Sequence, residues 1–244
     1  MKRNSNKLSI GETAKMLGVS LQTLRRWDTN GFFRAQRNGN KKHRYYEKDD
    51  VEYFLQINVG NYVEKWALAK KAEEPHPLFY CSNSAVFQTR LMRLQDELMK
   101  VRLWQQEVPL LVAIAGEIGN NSFDHNLGNW PDIPGVFFGY NLEARTIVLA
   151  DRGQGLLKTL KRVRPKIKDH HDALYTAFTE IISGRAPENR GNGLKFVVQA
   201  VINGQFDLFF QSGDAMLILL PRDEGLNIEK QKTFVQGSLA TLKF

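Results

Sequence analysis

The chain has 244 residues, 42% of them hydrophobic, and a formal net charge of +8 at pH 7, which is enough apolar content for a sizeable core and enough length for two domains. Its longest apolar run, near Val108, is about nine residues against the ~20 that a membrane-spanning helix needs, and the leading MKRNSNK lacks the apolar stretch of a secretory signal, so the cytoplasm is the expected compartment. The single cysteine, Cys81, excludes an internal disulfide and reads as a small buried residue, and no Cys/His cluster has zinc spacing.

Charge is concentrated at the start. Residues 1 to 50 hold 12 Lys and Arg against 5 Asp and Glu, so a fifth of the chain carries +7 of its +8. That is the electrostatic footprint of a nucleic-acid-binding module. Within it, LSIGETAKMLGVSLQTLRRWDTNGFF predicts two short helices and a tight joint. Ile10, Ala14 and Leu17 form the apolar stripe of the first, Gly18 permits the turn, and Ser20 is a natural N-cap for a second helix whose apolar side is Val19, Leu24 and Trp27. The second helix is expected to end at Asn30-Gly31. RAQRNGNKKHRYY then reads as a basic strand-turn-strand, with its turn at Asn38-Gly39-Asn40, and Asp49 as the cap of a further helix, DDVEYFLQI.

The order IGETAKMLGVS, TLRRW, NGFF, RNGNKKHRYYEKDDVEYF resembles the winged helix-turn-helix of MerR-type regulators and their excisionase relatives over about 50 residues. The resemblance implies that Gln22, Thr23, Arg25 and Arg26 enter the major groove of double-stranded DNA and that Lys41, Lys42, Arg44 and Tyr45 of the wing meet the backbone. An arginine here can pair with guanine or clamp a phosphate. In place of the aromatic pair usual after TLR, this chain has Arg26-Trp27.

Residues 56–105 read as amphipathic helices interrupted at Pro75-His76-Pro77. Val86, Leu91, Leu94, Leu98, Val101 and Trp104 recur at helical spacing, as either a dimer seam or an internal packing layer. MerR-like proteins usually dimerise through helices placed here, so a homodimer is expected.

Next, VPLLVAIAG turns abruptly into EIGNNSFDH. At about 100° per residue, Glu117, Asn121 and Asp124 project from one face while Leu110, Leu111, Ile114 and Ile118 pack inward. Asn120 and His125 read as ordinary helix-end residues. After an apolar strand, ARTIVLA, comes DRGQGL (Asp151, Gly153, Gly155); later come RGNGLKFVVQAV (Gly191, Gly193, Leu194, Lys195) and a last alternating strand, VQGSLATLKF, containing Ser238.

Polar and glycine motifs in this order resemble the GHKL-type ATP-binding domain of gyrase, mismatch-repair and heat-shock ATPases, histidine kinases and anti-sigma-factor kinases. The resemblance implies an α/β domain, an α+β sandwich with a mixed sheet, that binds ATP and Mg²⁺. Asn121 would hold the metal, as an amide suits a hard ion that keeps most of its waters. Glu117 would polarise the attacking oxygen, and Asp151, with Ser238 beside it, would accept the adenine amino group. Gly153 and Gly155 would let the backbone turn beneath the base. Gly191 and Gly193, with Leu194 and Lys195, would bring backbone N–H groups to the phosphates, and Asp124 would complete the polar face. His170-His171 lacks a partner at ligand spacing and reads as solvated; the basic KTLKRVRPKIK reads first as a solvated face, with contact to phosphates or DNA as the alternative.

The expected organisation is a winged helix-turn-helix at 1–55, a helical linker at 56–105 and an ATP-binding domain at 106–244. The expected function is ATP-responsive DNA binding in transcription control. The alternatives are a serine or histidine protein kinase, or anti-sigma-like enzyme, recruited to DNA, and a module in which ATP is only structural. Against a histidine kinase, no helix upstream of Glu117 carries a His followed by an acid.

Overall fold

In the computed structural model, which describes residues 6–38, 43–101, 104–180 and 193–244, the chain forms two compact units, Met1–Asn58 and Val59–Phe244.

The first unit begins with β1 (Lys7–Ser9). Ser9 starts α1 (Ile10–Met16) through a capping box, its Oγ accepting from the Glu12 amide while Glu12 accepts from the Ser9 amide. Gly18, at φ +62°, makes the joint. Ser20 caps α2 (Leu21–Thr29) by accepting from the Thr23 amide at 3.0 Å. After Asn30-Gly31, β2 (Gln36–Asn38) and β3 (His43–Glu47) pair antiparallel and β1 adds to the far side of β3. The hairpin turn predicted at Asn38-Gly39-Asn40 runs into residues outside those described. Helix α3 is Lys48–Ile57; its N-cap position is Glu47, so Asp49 sits in the first turn and not, as expected, at the cap. There it accepts from Asn6 and offers a negative charge to the helix N-terminus. Leu24, Tyr46, Val51 and Leu55 are buried, and Trp27, Phe32, Phe33 and Phe54 form a ring cluster around them.

The second unit is built on a five-stranded sheet of order β4-β5-β6-β8-β7: β4 (Tyr80–Cys81), β5 (Val136–Asn141), β6 (Thr146–Asp151), β7 (Asp207–Leu219) and β8 (Asn227–Lys243). Every neighbouring pair is antiparallel. This corrects the expected mixed sheet. Strands β6 and β7 do run parallel, joined through helices, but β8 lies between them and pairs with both, so no two parallel strands are neighbours.

Strand alternation sorts the two faces. Val136, Phe138, Ile147, Leu149, Ala240 and Leu242 belong to the main core with α6 (Val108–Asn126), α8 (His170–Thr179) and α9 (Gly193–Asn203). The intervening Phe137, Gly139 and Val148 face the other way, where α4 (Val59–Leu68) lies. A Cβ on Gly139 would stand 2.5 Å from Val59 Cγ2, and Phe137 meets the rings of Tyr62, Trp66 and Phe79. The apolar stripe of α5 (Ser84–Met99) packs on α6: Phe87, Leu91, Leu94 and Leu98 are buried, and Gly119 is a glycine because a Cβ there would fall 2.1 Å from the Phe87 ring. Of the two roles open to that stripe, the internal layer is the one observed. Cys81 is buried, which pushes its thiol up to about 11. Among the described residues no helix is long and apolar enough to cross a membrane.

Candidate functional site

A cavity of about 420 Å³, counting the part open to solvent, lies where α6 crosses the end of β6 and the neighbouring stretch of β8 around Ser238. Ile118, Asn121, Ser122 and His125 line it from α6, Asp151 and Ser238 from the sheet, Gly155 and Thr159 from α7 (Gly155–Lys161), and Leu194 from α9. Asp151 and Ser238 are cross-strand partners, so their side chains emerge side by side on the same face of the sheet.

Asp151 is 3% exposed. Its Oδ2 accepts the hydroxyls of Ser122, at 2.9 Å, and Ser238; its Oδ1 accepts the Gly153 amide at 2.8 Å and the Asn126 side-chain amide at 3.4 Å. Burial pushes this carboxyl above its ordinary range, with Ser238, Gly153 and Ser122 opposing the shift. Two of the four donors are hydroxyl rotors that can turn away and accept instead. The carboxylate is therefore positioned yet able to take a donor from a ligand. Glycine is required around it: a Cβ on Gly237 would fall 2.3 Å from Asp151 Oδ1, and one on Gly153 would fall 2.1 Å from the Asn126 amide. Gly155 holds φ +72°.

Glu117 does not line the cavity but stands at its rim, against the start of α9. A Cβ on Gly193 would be 2.2 Å from Glu117 Oε2 and 3.8 Å from Asn121 Nδ2, so a carboxylate, an amide and a helix N-terminus converge there. Lys195 is half-buried on α9 outside the lining set, and Gly191 lies outside the described residues. Asp124 is exposed and does not join the site. The physical reason is rotation: the lining set, Ile118, Asn121, Ser122 and His125, is centred roughly a quarter turn round the helix from Glu117 and Asp124.

His125, expected to be an ordinary helix-end residue, lines the cavity, and burial holds its imidazole below the ordinary value, partly offset by Asp151. Ser122 and Asn126, which hold Asp151, are further residues missed by the motif reading. Their signal lies in the polar positions Asn121, Ser122, His125 and Asn126, spaced i, i+1, i+4 and i+5 on one side of the helix. Asn120 accepts from Gln88 at 2.8 Å, away from this set. His171 does have partners at ligand distance, contrary to the reading of its spacing: Asp169, His171 and Asp172 offer atoms within 4.8 Å of one another. The cluster is surface-lying, and Asp169 is already the N-cap of α8.

In the first unit, α2 presents Gln22, Arg25 and Arg26 to solvent, with Thr23 half-buried beside its cap. Residues 8–59 match the MerR HTH family of regulatory proteins. The first unit is a MerR-type helix-turn-helix domain. The chain is also similar to a type II methyltransferase, M.Eco47II of Escherichia coli, with 48% identity over 48 residues; these are 20% of this chain and only 12% of that enzyme. No solved structure matches the chain. MerR-type helix-turn-helix proteins bind DNA, and of the side chains expected to do so this domain exposes Gln22, Arg25 and Arg26. Lys41 and Lys42 lie outside the described residues, and Tyr45 is half-buried with Lys7 Nζ 4.4 Å above its ring.

Arg44 has a second occupation in the MerR-type domain. Its Nε donates to Asp28 Oδ2 at 2.6 Å, as does Arg37 Nη2, and the Ala35 amide donates to Oδ1 at 3.0 Å. Asp28, 7% exposed, thereby clamps both wing strands to α2. Burial opposes ionisation, but the Arg44 hydrogen bond, the Ala35 amide and the Arg37 charge hold the carboxyl below its ordinary value. A depressed acid stabilises the fold fully above its unfolded pKa, about 3.9, and loses that contribution as pH falls through the lower folded value. Asp28→Asn should therefore destabilise this domain by about 1–3 kcal/mol at pH 7. In an acid titration followed by hydrogen exchange of β2 and β3, the variant should lack the loss of protection that the native protein shows below about pH 4.

Proposed function

We propose that the chain is a DNA-binding regulator whose affinity for duplex DNA responds to ATP·Mg²⁺ bound in the second unit. The observation that carries this reading is Asp151: a buried, pre-oriented carboxylate on the floor of a cavity whose rim gathers Glu117, Asn121 and the glycine start of α9. This donor set fits an adenine nucleotide. Asp151 accepts the adenine amino group, with Ser238, Ser122 and Asn126 fixing its direction. Ile118, Leu156 and Leu194 give the flat base an apolar slot. Asn121 offers the amide oxygen suited to magnesium, and the α9 N-terminus offers backbone N–H groups and a positive dipole end to the phosphates. ATP supplies a transferable γ-phosphoryl group. Glu117 polarises the oxygen that receives it, and this carboxylate is what favours the enzymatic alternative, an ATPase or a protein kinase. In either case Glu117 acts on water or on a partner's hydroxyl. The homodimer implied by the MerR resemblance would need a surface other than the α5 stripe, whose residues are buried within the chain.

The test is a DNA titration of the full chain at fixed salt, with no nucleotide, with ADP and with a non-hydrolysable ATP analogue. Allosteric coupling is typically about 1–3 kcal/mol, so the analogue should change DNA affinity roughly 5- to 150-fold, and DNA should change analogue affinity by the same factor. Superimposed curves, with analogue binding confirmed separately, would refute the ATP-responsive reading and leave a DNA-binding protein with a nucleotide site of another use.

A further inference from the structure

The second unit carries a net charge of only +2, yet residues 152–168 contribute seven cations and no acid, so the rest of the unit sums to −5. Arg152 is buried. The other six, Lys158, Lys161, Arg162, Arg164, Lys166 and Lys168, are all exposed. We propose that these six cations form a second DNA-binding surface, a basic ridge that engages the phosphate backbone of duplex DNA. The proposal rests on the DNA-binding half of the function above and is independent of ATP.

Three observations support it. First, the ridge is anchored. Leu160 and Ile167 are buried with Ala173 in a small core of their own, and the Val163 and Arg164 amides donate to the Leu160 carbonyl at 3.0 and 2.8 Å. The chain is thus held with its cations outward. Second, the cations face away from the cavity. On α7, Gly155, Leu156 and Thr159 line the cavity, whereas Lys158 and Lys161 lie on the opposite side of the same helix. None of the six cations lines the cavity, which leaves them open to an external polyanion. Third, most of the charge is uncommitted. Arg162 donates to Gln154 and Arg164 lies 3.6 Å from Glu180, while Lys158, Lys161, Lys166 and Lys168 have no ion pair among the described residues. Exposed lysines without acidic partners, grouped along an ordered segment, suit a row of phosphates read without regard to base sequence.

The test compares the full-length protein with the variant Lys158→Gln, Lys161→Gln, Lys166→Gln, Lys168→Gln, leaving the two bonded arginines in place. A nonspecific DNA duplex is titrated over a range of salt, and analogue affinity is measured in parallel. Each lost phosphate contact should flatten the plot of log affinity against log salt by about 0.9, so the variant slope should be shallower by roughly 2 to 4. DNA affinity at low salt should fall at least tenfold, with analogue affinity unchanged. A slope equal to that of the native protein overturns the proposal. So does a fall in analogue affinity at an unchanged slope, which would assign the ridge to nucleotide phosphates. Arg25→Gln with Arg26→Gln on α2 is the reference. If that variant loses DNA binding while the ridge variant does not, the ridge alone is refuted; if the native protein binds no duplex, the DNA-binding reading falls and the ridge with it.

Discussion

Asp151→Asn should lower nucleotide affinity on the order of 100-fold or more, whereas Glu117→Ala should bind ATP nearly as well as the native protein and fail to turn it over. The asymmetry follows from where the two acids sit. Asp151 is buried at the base of the cavity among four donors, and an asparagine there turns an N–H₂ towards the ligand's own N–H donor. Glu117 lies at the rim and takes no part in lining the cavity. Equal loss of binding in both variants would overturn this division of labour. Binding should also depend on pH with a definite sign. A base amino group needs an ionised acceptor, and burial raises the Asp151 carboxyl above its ordinary range, so analogue affinity should fall on mild acidification, before ordinary carboxylates titrate. For stability without ligand the sign reverses. An acid whose folded pKa is raised favours the fold most at low pH and loses that contribution as pH rises from about 3.9 through the folded value, opposite to Asp28. Calorimetric titration of analogue across pH, in native protein and Glu117→Ala, checks the first statement, and unfolding of the ligand-free protein across the same pH range checks the second.

Local signals in the sequence carry over to the structure where the physics is local. Ser20 accepts from the Thr23 amide, Gly18 and Gly31 hold positive φ, and the spacing of Leu91, Leu94 and Leu98 makes a buried face. Each needs only a cap, a left-handed turn or a helical period. Non-local features were harder to read. Asp28 looks like a surface acid on a basic helix, and only the return of β3 brings Arg44 to it. The paired strand β8 places Ser238 against Asp151, which the motif order anticipated, but the same antiparallel pairing contradicts a mixed sheet. His125 escapes a reading phased on Glu117, because the lining face of the helix is centred roughly 100° from that residue. Arg152 gave no signal at all. It follows the aspartate of the glycine motif, where the sequence offers nothing to separate a solvated arginine from a buried one.

That arginine should nevertheless be among the residues the fold tolerates losing least. Strand alternation sends Asp151 to the cavity face and Arg152 to the opposite one, where its guanidinium is 1% exposed. Nη1 donates to the Trp66 and Ala67 carbonyls at 2.8 and 3.2 Å, Nη2 to the Ala69 carbonyl at 2.7 Å, and Nε to Asp132 at 2.5 Å. The carbonyls are those of the last turn of α4 and the residue just beyond it, which have no N–H donor within the helix, so the guanidinium caps α4 and fastens it to the strand that carries Asp151. Arg152→Met fills most of the volume yet takes the donor from the buried Trp66 and Ala67 carbonyls and the partly buried Ala69 carbonyl, and the cation from Asp132. At about 1–3 kcal/mol for each buried acceptor left unsatisfied, the loss comes to about 3–5 kcal/mol. Arg152→Lys should recover only part of this, because an ammonium cannot reproduce a planar fork that reaches three carbonyls and a carboxylate together. Asp132→Asn should cost least, about 1 kcal/mol, since its side chain is partly exposed and the carbonyls keep their donor. Hydrogen exchange of residues 63–70 reports this locally, with α2 in the first unit as internal reference. Protection should fall in the order Asp132→Asn, Arg152→Lys, Arg152→Met while α2 is unchanged; native-like protection in Arg152→Met would mean that α4 is held by its apolar face alone.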